Sequence, residues 1–242
     1  MDVQSRRASV KTHIIIFPSA LSVAHSCRSS AQFKSFTGTA KILVGPEEAN
    51  RTVPRELLTA NSPFFHAALT GTFAEGLSQT VRLPEDRADV FDYFLYWLYT
   101  RRLDHEAVDA AEPTKPAYFW LLHLYCLVDK LGVESCKNAI VEKVARLAEE
   151  TNSVPTPTDT WIVFETFGGQ EGNCLRRLVV DLFAWKRTDN LLDQHEDEWH
   201  PRFMRDLVVK MKREDTRVSG MVKPWVRNLC RYHEHAMGKR CP

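Results

Sequence analysis

From residue 41 onward the hydrophobic positions fall first into short runs and then into helical spacing. Residues 41–44 and 51–53 predict two strands, and Gly45 with Pro46 supplies the turn between them. Leu57 and Leu58 lead into Ser62, Pro63, Phe64 and Phe65, where Ser62 can cap a helix and Pro63 suits its first position. Residues 80–83 read as a further strand that Pro84 ends. Val90, Phe91, Phe94, Leu95, Trp97 and Leu98 then mark a helix that closes at Tyr99 and Thr100.

Residues 117–131 are apolar on nearly every face, so the helix they predict must be enclosed by other elements. Pro116 opens it and Gly132 closes it. Residues 133–149 continue as an amphipathic helix with Cys136, Ile140, Val144 and Leu147 on one stripe. Pro155 and Pro157 break the pattern, and only helices are predicted beyond them. Asp159 can cap residues 160–167, and Asn173 can cap residues 174–185 after the glycines at 168, 169 and 172. Further helices start at Pro201 and near Pro224, the last carrying Trp225, Val226, Leu229 and Tyr232.

Composition narrows the class. A chain of 242 residues with 44% hydrophobic positions builds a substantial core, burying ~70% of its unfolded surface. A formal net charge of +1 argues against whole-surface affinity for nucleic acid or anionic membrane. The six cysteines stand far apart without a CxxC pair, which fits a reduced, cytoplasmic or nuclear protein. No apolar run approaches the ~18 residues that suggest a membrane span. Residues 1–36, acid-poor and Ser-rich, predict a disordered tail, with a signal or transit peptide as the alternative.

Enzyme-like patterns fail on spacing. His195 and His200 are five apart, whereas metal ligands on one helix face need four, so a solvated acidic turn is expected. Cys230, His233, His235 and Cys241 carry soft-metal chemistry. On a helix, however, residues two apart lie about 200° from each other, so one ion reaches both histidines only if the helix frays. No Lys-Ser/Thr follows the glycines near 170, and no Gly-x-Ser-x-Gly elbow occurs. The expectation is a non-enzyme without cofactor, catalytic or metal residues.

Two patterns point to partners. Basic residues dominate from Arg202 onward, and solvated helix faces explain them, with a nucleic-acid-associated regulator as the alternative function. Arg6, Arg7, Ala8, Ser9 and Val10 match a basophilic kinase consensus, making Ser9 a candidate phosphorylation site. Phe64 and Phe65 have two readings, core filling or, for one of them, the lining of a partner groove.

The ordered set of Leu57, Leu58, Ser62-Pro63-Phe64-Phe65, Phe73, Val81-Arg82-Leu83-Pro84, Val90-Phe91 and Tyr96-Trp97-Leu98-Tyr99-Thr100 resembles the BTB/POZ family, in the compact form common among fungal proteins. It continues through Leu124, Tyr125, Cys126 and Asp129-Lys130-Leu131-Gly132. The resemblance implies an α+β BTB/POZ fold, a small mixed sheet capped by helical hairpins, followed here by an all-helical C-terminal region. The expected division is a tail at 1–36, the BTB/POZ-like domain at 37–150 and the helical region at 151–242. It also implies a scaffold or adaptor that binds protein partners, with self-association or a cullin-type ubiquitin ligase among them. Cullin-binding members carry a bulky apolar residue, any residue and Glu after the Trp-Leu-Tyr helix, and here Ala110, Ala111 and Glu112 occupy that loop. Arg101 stands where a Gly is common, so that turn has to be made by a residue with a side chain.

Overall fold

The computed structural model describes residues 38–104, 117–170, 172–213, 222–235 and 241. Strand β1 (Thr39–Val44) lies at the centre of a three-stranded mixed sheet of order β2-β1-β3. Strand β2 (Ala49–Pro54) pairs antiparallel with it, Ile42 opposite Arg51, after a turn that Gly45 makes at φ +76°. Both strands outrun their hydrophobic cores, because backbone pairing carries on through polar Asn50, Arg51 and Thr52. Strand β3 (Thr80–Leu83) pairs parallel to β1, with Ile42 opposite Val81. A parallel neighbour requires a crossover. Three short helices supply it: α1 (Arg55–Asn61), α2 (Pro63–Thr70) and α3 (Ala74–Ser78).

The sheet's buried face, Ala40, Ile42, Val44, Val53, Val81 and Leu83, meets the helices. Ser62 Oγ accepts the Phe65 N–H at 3.2 Å, so it caps α2 as its position predicts. The same hydroxyl donates to the Leu131 carbonyl at 2.6 Å, tying α2 to the end of a helix sixty-nine residues on. Helix α4 (Ala88–Thr100) joins Phe65 through Phe91, Phe94 and Trp97, with successive ring centroids 6.5, 5.8 and 6.4 Å apart. It ends on Arg101 in the left-handed region at φ +58°, the position where glycine would be at ease. Three contacts offset that cost. The Arg101 N–H donates to the Trp97 carbonyl at 2.7 Å, its guanidinium lies 4.5 Å over the Trp97 ring, and Nη2 donates to Asn61 Oδ1 at 2.5 Å.

Helix α5 (Ala117–Lys130) buries Tyr118, Trp120, Leu121, Leu122, Leu124, Tyr125, Leu127 and Val128. It packs against α4, α6 (Glu134–Glu150) and α7 (Pro157–Phe167), which together meet its need for enclosure. The turn into α6 passes through Gly132 at φ +71°, where a Cβ would press on Pro63 Cδ at 3.3 Å. Helix α7 begins earlier than residues 160–167. Thr156, not Asp159, is its cap, since Pro157 suits the first helical position; Asp159 answers from the third, accepting the Thr156 N–H at 2.7 Å.

Asn173 caps α8 (Cys174–Trp185) as expected. Then come α9 (Asp189–Gln194), α10 (Pro201–Arg213) and α11 (Pro224–Arg227). Phe164, Phe183, Trp199 and Phe203 cluster where α7, α8 and α10 meet. The continuous helix expected from Pro224 to Tyr232 breaks at Asn228, and a single 3-10 turn covers Leu229–Tyr232. The Trp225 indole then donates to Glu149 Oε1 at 3.1 Å, while the Tyr232 hydroxyl donates to buried Asp181 at 2.5 Å. All described residues fall within one compact unit, and among them no helix is long and apolar enough to cross a membrane.

Replacing Ser62 with Ala removes a cap and orphans the Leu131 carbonyl, so urea unfolding is expected to show a loss of about 2 kcal/mol. Glu149 carries a pH signature. Burial pushes its carboxyl up, but hydrogen bonds from Lys223 and Trp225, with the charges of Lys186 and Lys223, outweigh this and hold it below its ordinary 4.5. A depressed folded-state value gives stability that is present above the unfolded value and lost as pH falls through the folded one. Melting temperatures of Glu149→Gln should therefore fall short of the wild type at pH 7 and converge with it as pH drops below about 4.

Candidate protein-interaction surface

The crossover between β2 and β3 places its apolar side chains in two opposite environments. On α2, Phe65 and Leu69 face the core and are fully buried. Phe64, one residue earlier, is half-buried and touches Phe65 edge-on at 5.3 Å. Phe65 is thus a core residue, and Phe64 lines a groove of about 470 Å³. Ala68 and Val81 join it on the apolar lining, while Glu75, Ser78 and Arg82 bring polar groups.

Helix α3 borders that groove and buries none of its own residues. Sequence patterning misses it, because five residues with a glycine in the middle show no helical period. Its local chemistry explains it. Gly76 lets the Gly71 carbonyl approach so closely that a Cβ would lie 2.0 Å from the oxygen. The Gln79 amide closes the turn from a left-handed backbone at φ +52°, donating to Leu69 O at 3.1 Å and Gly76 O at 2.5 Å. The Leu77 N–H donates to the carbonyl of Phe73, the extended residue that caps this helix, at 3.1 Å, so the two lie one turn apart along the chain. Phe73 is 72% exposed and Leu77 81%. Two large apolar side chains exposed beside a groove with an apolar lining make this a candidate surface for a protein contact. β3, which lines the same groove, is an edge strand of only four residues.

The other sequence candidates lie elsewhere. Ser9, Ala110 and Glu112 lie outside the described residues. His195 is half-buried and accepts the Asp197 N–H at 3.2 Å. His200 departs from the expected solvated turn: it is buried, with its ring 4.7 Å from Trp161 and 5.7 Å from Phe164. The basic C-terminal stretch turns partly inward. Lys210 reaches Asp181 at 2.8 Å and Lys223 reaches Glu149 at 2.8 Å, while Asp206 of this stretch receives Arg176 of α8 at 2.5 Å. Burial pushes the Cys126 thiol up to about 11 and raises those of Cys136 and Cys174, which keeps all three protonated and weakly nucleophilic near neutral pH.

Residues 32–139 match the family model of the BTB/POZ domain. No curated protein matches the chain.

Phe65→Ala is expected to cost about 3–5 kcal/mol of stability through the cavity it leaves. Phe73→Ala and Leu77→Ala should each change stability by less than about 0.5 kcal/mol. Urea unfolding of the three variants separates the core side of the crossover from its exposed side.

Proposed function

We propose, from the premise that this chain carries a BTB/POZ domain, a protein–protein interaction module, that it works as a scaffold or adaptor whose partner contact centres on Phe73 and Leu77. The observation that supports this reading is the exposure of Phe73 at the start of α3 and of Leu77 within it, a helix that buries none of its residues. An apolar pair left in water costs the protein solubility, and burial at an interface recovers about 25 cal/mol per Å² of apolar area. A cullin-type ubiquitin-ligase scaffold is the partner class this reading selects, which makes the chain a substrate adaptor. In this role residues 37–150 form the contact-bearing domain and residues 151–242 a helical region able to present a second surface. The free state of the five described cysteines supports work in the cytoplasm or nucleus. The basic C-terminal helices give less support to nucleic-acid binding, since Lys210 and Lys223 pair internally.

The test is a binding titration of purified chain against a cullin scaffold, with sedimentation to follow self-association. Phe73→Asp combined with Leu77→Asp should weaken the cullin contact by at least about tenfold, as expected for central apolar anchors, with the melting temperature unchanged. Cullin binding that is untouched by the double substitution removes this surface from the reading. A chain that binds no cullin but loses self-association with the substitution is a self-pairing scaffold instead.

A further inference from the structure

Past Tyr232 the chain does not continue as a helix. His233 is extended (φ −93°, ψ 150°), so the objection that His233 and His235 must point to opposite sides of a helix does not apply. The Nε2 of His235 lies 3.2 Å from Cys230 Sγ and 3.4 Å from Cys241 Sγ, and these three ligand atoms lie within 4.8 Å of one another. His233 Nδ1 approaches the same sulfur of Cys241 at 2.9 Å. A tetrahedral zinc ion with Zn–S near 2.3 Å and Zn–N near 2.0–2.1 Å holds its sulfur and nitrogen ligands about 3.5 Å apart. The two separations from His235 are close to that edge, and the approach of His233 is shorter than it.

We propose that Cys230, His235 and Cys241, with His233 as the fourth ligand through Nδ1, bind a structural zinc ion. The ligand chemistry fits: two thiols and two imidazoles in a four-point set form a common closed zinc site. The surroundings fit as well. The far nitrogen of His233, Nε2, has no hydrogen-bond partner and lies 3.4 Å from Glu142 Oε1 on α6, within ion-pair reach though not in hydrogen-bonding alignment. A ring that ligates metal through one nitrogen and faces a carboxylate with the other is the usual support of a metal-bound histidine.

The residue between the two histidines fixes the segment to the BTB/POZ domain. The Asn138 side chain of α6 pairs with the Glu234 backbone in both directions, donating to its carbonyl at 2.9 Å and accepting its N–H at 2.8 Å. The Glu234 carboxylate meets Lys137 and accepts the Tyr125 hydroxyl at 3.3 Å. Zinc here closes a clip whose other half is already built on α5 and α6.

The experiment measures metal by plasma mass spectrometry, and free thiols by titration, on the full chain purified without chelator. The expected result is close to one zinc per chain, falling to near none in Cys230→Ser and Cys241→Ser and unchanged in Cys126→Ser. Because ligand variants can fail to fold, the wild type is also stripped with chelator and titrated with Co²⁺. Stoichiometric binding with the visible absorption of tetrahedral cobalt and a thiolate-to-metal charge-transfer band supports the site. Glu142→Gln should weaken metal affinity about 10–100-fold while the four ligands remain. A chain that holds no zinc and gives no tetrahedral cobalt spectrum overturns the proposal. So does metal content indifferent to both cysteine substitutions, or a disulfide between Cys230 and Cys241.

Discussion

Helix α5 has eight buried side chains in fourteen residues and no polar face, and the rest of the fold follows from what covers it. α4 takes one side, and with it the aromatic series that begins at Phe65 beneath the sheet. α6 takes a second side through a turn so tight that Gly132 lies against Pro63. The remaining side belongs to α7, which lies beyond the two prolines where the sequence pattern breaks. Tyr125 of α5 stacks edge-on with Phe167 at 5.5 Å and hydrogen-bonds to Asn173, so the cap of α8 reads the state of α5 directly. A polar patch on α5 would have released the C-terminal helices from this duty.

That enclosure explains why the exposed apolar pair stands where it does. The crossover helices have to return the chain from β2 to β3, and α1 and α2 bury Leu58, Phe65 and Leu69 in doing so. α3 is left over, a short turn held by Gly76 and Gln79 that has no core to face. Leu77 on it, and Phe73 at its start, therefore stay exposed.

Much of this was legible in the residues themselves. Ser62 with Pro63 and Asn173 before Cys174 are strong local signals, because a cap needs only its own side chain and the next turn of backbone. The enclosed helix was legible for a similar reason: an apolar run long enough to exclude a strand states its own burial. Thr156 was missed in favour of Asp159 because both can cap, and the choice depends on which of them Pro157 lets the helix start behind. α3 was invisible because it is held by contacts across the turn and not by periodicity. The meeting of Cys230, His235 and Cys241 was obscured by one assumption, that Trp225, Leu229 and Tyr232 at helical spacing imply an unbroken helix. The break at Asn228 depends on tertiary anchors, Glu149 and Asp181, that lie far off in sequence.

The last of those anchors has a consequence in time. α5 and α6 leave the ribosome before α7, α8 and the Tyr232 turn that complete their cover, some eighty residues later. At ordinary translation rates that interval is on the order of ten seconds, long compared with the collapse of a helical hairpin. Until Phe167 and Asn173 follow, Tyr125 and the apolar face around it are open to chaperones and to other nascent chains. The arrangement that gathers the described residues into one compact unit thus leaves the half-made chain with apolar surface to protect.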